Sequence, residues 1–158
     1  MYDNWNLGTE TRQMDKALKK ASKGEQKDRF RIGQMYFSKG YIFYLKQDTG
    51  YLQAFANSIK YLKSEYGRIC KNGQKKYTTI FTLGLSYYYL KDYENAGLFF
   101  KKAMYYKTNN PNVWLAKCLI KANQSDSAQS VLTNYCQINS LNKDSVEKIM
   151  NEDLQNGH

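Results

Sequence analysis

Apolar residues recur along this chain at helical spacing. From Tyr77 the sequence reads YTTIFTLGLSYYYLKDYENAGLFFKKAMYYKTNN. Leu83, Tyr87 and, further on, Tyr93, Phe100 and Ala103 fall three, four or seven positions apart, as on helices with one buried face. The polar pair Lys91-Asp92 interrupts the run, which predicts helices near 77–90 and 93–107, with Asp92 placed to cap the second. Thr108-Asn109-Asn110-Pro111 then breaks the chain, because proline disfavours helix at the residue before it. Upstream, Tyr36, Gly40 and Tyr44 lie at helical spacing, Gln47-Asp48-Thr49-Gly50 turns the chain, and Tyr51, Ala54, Ser58 and Tyr61 mark a second helix. Gly33 competes with Gly40 for the position of closest helix approach, and Ile69–Lys76 reads as a connection. Downstream, Leu115, Ala116 and Leu119 precede an Asn123-Gln124 turn, followed by Ala128, Leu132 and Tyr135, with Ser125 or Asp126 as the cap. Two outer helices complete the pattern. One covers 9–22, capped by Thr9, with Met14 and Leu18 inward; the other covers 142–154, capped by Asn142, with Val146, Ile149, Met150 and Leu154 on one face.

The expected fold is therefore all-α, and its helices come in pairs. Leu83-Gly84, Tyr87, Ala96, Phe100 and Ala103 have the spacing of a tetratricopeptide unit, about 34 residues with small side chains where two helices touch. The same reading places repeat 1 at 33–66, repeat 2 at 77–110 and repeat 3 at 109–137. They are flanked by an N-terminal basic helix or cap at 9–32 and a C-terminal capping helix at 142–154, all in one domain over 1–158. Such units stack into a right-handed superhelix, an α-solenoid, whose first helices line a concave face. The inner stripe would then carry Phe37, Tyr41, Tyr44 and Leu45, then Phe81, Leu85, Tyr88 and Tyr89, and finally Val113, Lys117, Ile120 and Lys121. That is an aromatic groove with a basic end, suited to a peptide with apolar anchors. In a chain with 15 tyrosines, each of these rings could equally be ordinary core.

Charge changes the picture on one half only. Residues 1–76 hold 16 Lys/Arg against 7 Asp/Glu, +9, whereas 77–158 hold 8 against 7, +1. Lys19, Lys20, Lys23, Lys27, Arg29 and Arg31 form a basic patch that suggests an acidic partner: a protein, an anionic membrane surface or nucleic acid. Solvation of the first helix is the plainer alternative. With only four arginines, Arg12, Arg29, Arg31 and Arg68, a base-reading surface is disfavoured.

Catalytic chemistry is not expected. The one histidine is the terminal His158, and Cys70, Cys118 and Cys136 show no metal or disulfide spacing. Cys118 lies between Leu115 and Leu119 as a small core residue would, and Cys70, though beside Arg68 and Lys71, has no base nearby. No phosphate-binding glycine motif occurs, and no cofactor is expected. No stretch approaches the length of a membrane span and no signal peptide is seen, so a cytoplasmic protein is the expectation. On that reading the acceptor triplet Asn123-Gln124-Ser125 carries no weight.

Two stretches carry a family resemblance: FSKGYIFYLKQDTGYLQAFANSIKYL, with Tyr51 and Ala54, and PNVWLAKCLIKANQSDSAQSVL, with Pro111, Ala116, Cys118, Leu119 and Ala128. With the middle unit they make residues 33–135 similar to the class II chaperones of bacterial type III secretion systems. The resemblance implies a chaperone that keeps a membrane-inserting translocator soluble until secretion and holds an extended client segment in its groove. The client would lie against Phe37, Tyr41, Tyr44, Phe81, Leu85, Tyr88 and Tyr89, with Val113 and Ile120 at the far end. A weak homodimer through the N-terminal segment, with Trp5 and Leu7, is a further expectation. The alternatives are a tetratricopeptide scaffold in a secretion or pilus assembly and, third, a nucleic-acid binder using the basic patch with tyrosine platforms.

Overall fold

The computed structural model describes residues 7–23, 28–68, 73–106, 110–140, 142, 144–145, 148 and 151. Those residues are helical, with turns between the helices and no strand. The elements are α1 (Leu7–Ser22), α2 (Arg29–Leu45), α3 (Gly50–Tyr66), α4 (Gly73–Tyr89), α5 (Tyr93–Ala103), α6 (Asn110–Lys121) and α7 (Ser125–Ile138); a 3-10 turn, Met104–Tyr106, tightens the end of α5. The chain divides into two compact units, Met1–Ser86 and Tyr87–His158, with the boundary inside α4.

In the first unit α2 packs on α3, and α1 on α2. The α2–α3 contact is set by what is missing from α2. A Cβ on Gly33 would lie 2.6 Å from Leu62 Cγ and Cδ2, and one on Gly40 2.8 Å from the Phe55 ring. Both glycines, seven residues apart on one helix face, are thus positions of close approach. Phe55 and Leu62 fill the space, and both are fully buried. Beside them runs a layer of buried hydroxyls. Ser58 Oγ donates to the Gly33 carbonyl at 2.9 Å, and Ser86 Oγ donates to the Thr82 carbonyl at 2.8 Å and lies 3.3 Å from Ser58 Oγ. Gln34 Nε2 donates to Thr82 Oγ1 at 3.0 Å, and Thr79 Oγ1 to the Lys75 carbonyl at 2.9 Å. Each buried hydroxyl has a partner, which avoids the roughly 1–3 kcal/mol that an unsatisfied one costs.

In the second unit α6 packs on both α5 and α7. Ala116, Ile120, Ala128, Leu132 and Cys136 form its α6–α7 core, with Leu119, Val131 and Tyr135 packed around them. Tyr87 stacks on Phe99 with centroids 5.6 Å apart. Pro111 is buried in the first turn of α6, where its missing N–H has no helical partner to lose.

Three helix ends are built alike. The N–H groups of Gln47, Lys91 and Asn123 bond the carbonyls of Tyr44, Tyr88 and Ile120, and those of Asp48, Asp92 and Gln124 bond Phe43, Tyr87 and Leu119. Each is the paired-bond turn that ends a helix on a left-handed residue. Gln47, Lys91 and Asn123 accordingly have φ of 57°, 62° and 57°. The turn recurs after α2, α4 and α6, each time leading directly into a second helix. Asp92 caps α5 through the Asn95 amide at 3.2 Å, as its position in the sequence suggests. Asn142 accepts from the Ser145 amide at 3.1 Å, and Asp144, Ser145, Lys148 and Asn151 are helical; Val146, Ile149, Met150 and Leu154 lie outside the described residues.

Four expectations need correction. Thr9 does not cap α1, which already begins at Leu7. The first hairpin starts at Arg29 rather than 33, because Asp28 caps α2 by accepting from the Arg31 amide at 3.1 Å. The connection written as Ile69–Lys76 is shorter, because α4 begins at Gly73. Lys75, in its first turn, is held by Glu65 at 3.5 Å and by the Phe30 ring, 4.9 Å from Nζ. Neither Ser125 nor Asp126 caps α7; the position belongs to Gln124, whose side chain makes no capping bond.

Glycine substitutions will separate crowded from roomy positions. Gly33→Ala is expected to lower stability by about 1 kcal/mol, overpacking outweighing the helix gain. Gly97→Ala should raise it by about 0.5–1 kcal/mol, since its new Cβ meets only Leu115 at 3.6 Å and Cys118 at 3.9 Å. At the turns, Lys91→Gly should gain about 1 kcal/mol and Asn123→Gly only a few tenths, because asparagine tolerates the left-handed region better than lysine. Denaturant midpoints at constant m-value read both series.

Candidate functional site

The groove residues of the first unit sit on a ladder of rings. Phe37 stacks on Tyr41 with centroids 6.5 Å apart and meets the buried Phe55 at 5.7 Å. Phe55 meets Tyr51 at 6.1 Å, and Tyr51 meets Tyr44 edge-on at 5.5 Å. The outer rungs reach solvent: Tyr41 is 40% exposed and Tyr44 42%, with Leu45 beyond them at 59%. This geometry follows from the sequence. Phe37, Tyr41 and Tyr44 are spaced four and three on α2, and Gly40 between them lets Phe55 of α3 come close enough to support the rings. Phe81 stacks on Tyr77 at 5.6 Å along α4 and, like Leu85, is half-buried.

In the second unit the rings gather around Trp114. Tyr88 meets it edge-on at 5.1 Å, Tyr89 at 6.3 Å, and the fully buried Phe100 stacks beneath it at 5.9 Å. Tyr93 closes on Tyr88 at 5.5 Å, and the Lys117 ammonium sits 5.2 Å from the Trp114 ring centre. A cation over an indole face adds about 0.5–1 kcal/mol at such a site. Val113 and Lys121 are half-buried. Ile120 is not part of any open face: at 7% exposure it belongs to the α6–α7 core, because its helical position points at Ala128 and Leu132 rather than along the Trp114 side.

The residues expected to form the basic patch differ in exposure. Lys19, Lys20, Lys23 and Arg31 are exposed and Arg29 is half-buried; Lys27 lies outside the described residues. Residue-by-residue reading missed four contributors. Trp114 was passed over although it stands between Val113 and Lys117 on the same helix. Phe55, which supports the first ladder, was signalled by its place one residue after Ala54. Arg12 and Lys16 extend the basic patch and were signalled by their spacing, four residues from each other and seven and three from Lys19.

A separate cleft of about 400 Å³ lies between α5 and α6 of the second unit. Leu98, 50% exposed, stands at its edge with Tyr93 and Lys101, and Leu115, Cys118 and Leu119 line its other side. Cys118 is a buried thiol of the packing between these helices. Among the described residues no three of His, Cys, Asp and Glu gather as a metal site would need, and no helix is long and apolar enough to cross a membrane. No family model matches the chain, and neither does any curated protein or solved structure compared with it.

The ladder predicts a graded response. Phe55→Ala should cost about 3–5 kcal/mol, as for a large core ring. Tyr41→Ala should cost less than about 1.5 kcal/mol, the worth of one edge contact with a half-exposed ring. Urea unfolding followed by circular dichroism distinguishes a foundation from a presented surface.

Proposed function

We propose that the protein is a non-catalytic protein-binding module. In this reading its three hairpins are tetratricopeptide-type repeats of a right-handed solenoid, and it serves as a cytoplasmic chaperone of a bacterial type III secretion system. It holds an extended segment of a secreted translocator against its aromatic faces. The observation that carries the reading is the presentation of Tyr41 and Tyr44 to solvent from a buried base at Phe55. Rings fixed in this way offer large contact area with little rotamer entropy left to lose, and tyrosine hydroxyls can bond a peptide backbone. The Trp114 cluster with Lys117 gives the second unit a face of the same chemistry with a positive edge. The repeated left-handed turns after α2, α4 and α6 support the repeat assignment.

One observation favours an adaptor in a secretion or pilus assembly instead. The cleft between α5 and α6, with exposed Leu98 at its edge and Glu94 and Lys101 beside it, is a second concave surface of mixed character adjoining Tyr93, and a scaffold needs more than one surface.

The tagged full-length protein, purified from its native cells beside a Tyr41→Ser/Tyr44→Ser variant of equal helix content, tests the proposal. Copurification of one secreted, membrane-active protein with the parent, reduced at least about tenfold in the variant, is expected; that loss corresponds to about 1.4 kcal/mol. Equal recovery of such a client by both proteins overturns the aromatic-face reading. Folded assembly components retained by both would transfer the assignment to the adaptor.

A further inference from the structure

We propose that α1 docks the protein electrostatically on an anionic lipid bilayer, through one stripe of cations and without insertion. The stripe comprises Arg12, Lys16, Lys19 and Lys20 on α1 and Lys23 just past its end, all exposed. At about 100° per residue these five fall within an arc of roughly 100°. Leu18 faces the opposite way and is buried, with Met14 half-buried beside it, so the apolar side of α1 is occupied by the protein itself. Met14 and Ala17 line an open apolar pocket of about 360 Å³ together with Met35 and Ile42 of α2, on the side of α1 away from the basic stripe. Asp15, beside the stripe, pairs with Lys39 of α2, and Asp28 accepts from the Arg31 amide. Exposed Arg31 lies in the first turn of α2, which follows the end of α1 closely in the chain, and so adds to the cations at Lys20 and Lys23.

The form of the stripe selects the occupant. A lysine-dominated row on a convex helix, with no aromatic residue on α1 to stack a base, matches the diffuse charge of lipid headgroups better than a polynucleotide. The expected attraction is about 1 kcal/mol for each basic residue near the surface, close to fivefold in partition. Because Leu18 is buried and Met14 half-buried on the far side of α1, the adhesion rests on the cations and decays with salt over about a Debye length. The inference rests on α1 and α2 alone and does not depend on the aromatic faces or the client.

Cosedimentation of the full-length chain with vesicles tests it. The vesicles are phosphatidylcholine alone, or phosphatidylcholine with about a third phosphatidylserine. A Lys16→Gln/Lys19→Gln/Lys23→Gln variant of unchanged helix content is run alongside. Binding to the anionic vesicles only, lost on raising salt from about 0.05 to about 0.5 M and reduced on the order of a hundredfold in the variant, is expected. Equal binding to neutral vesicles, or full binding by the variant, overturns the proposal. So does displacement from anionic vesicles by an equal charge concentration of duplex or single-stranded DNA, which would make the stripe a phosphodiester site instead.

Discussion

The approach of α2 to α3 at Gly33 and Gly40 governs the first unit. With side chains at either position the helices would stand further apart, and Phe55 and Leu62 would lose the surfaces that bury them. Two other features depend on that distance. Ser58 reaches the Gly33 carbonyl only because the backbones are close, and that contact starts the hydroxyl layer that continues to Ser86 and Thr82. The Phe55 ring comes to lie under Phe37 for the same reason, so that Tyr41 is presented rather than collapsed. Two absent methyl groups thus link the packing of a hairpin to the exposure of its most accessible rings.

Polar atoms in that seam give it a property that a wholly apolar seam would lack. Hydroxyls are satisfied at one register only, since a slide along the helix leaves Ser58 and Thr82 buried without partners at about 1–3 kcal/mol each. The α6–α7 core of the second unit is made instead from Ala, Ile, Leu and Cys, and its register is set by the fit of small residues against large ones. The two units therefore use different physics for the same task, although their turns are built alike.

How much of this could be read from the chain depends on whether the cause was local. Asp92 and Asn142 were legible as caps because a carboxylate or amide three residues before an amide needs no tertiary information. The turns at Gln47, Lys91 and Asn123 were legible as turns, but their left-handed geometry was not, since none of the three is glycine. The start of α4 at Gly73 was missed because the contacts of its first turn, Lys75 with Glu65 and with the Phe30 ring, are made with other helices and not within the local sequence. Ile120 was misplaced for a related reason. On a helix packed on two sides, as α6 is between α5 and α7, an apolar residue at either edge of the stripe satisfies the same periodicity, and only the neighbouring helix decides which edge is core.

The two kinds of surface on this molecule also obey different distance laws. Rings such as Tyr41 and those around Trp114 act by contact, and their energy is lost once water fits between the surfaces. They must therefore be held rigidly, which is what Phe55 and Phe100 do from below. The cations of α1 act over about 10 Å at moderate salt, and their flexible stems tolerate an imprecise partner. No rigid base is needed beneath them, only an anchor for the helix that carries them, and Leu18 with the Asp15–Lys39 pair supplies it. A basic helix of this kind can hold a partner or a surface before any ring is in contact, and the aromatic faces can then discriminate. That ordering follows from the range of each interaction, whatever the occupant of either surface.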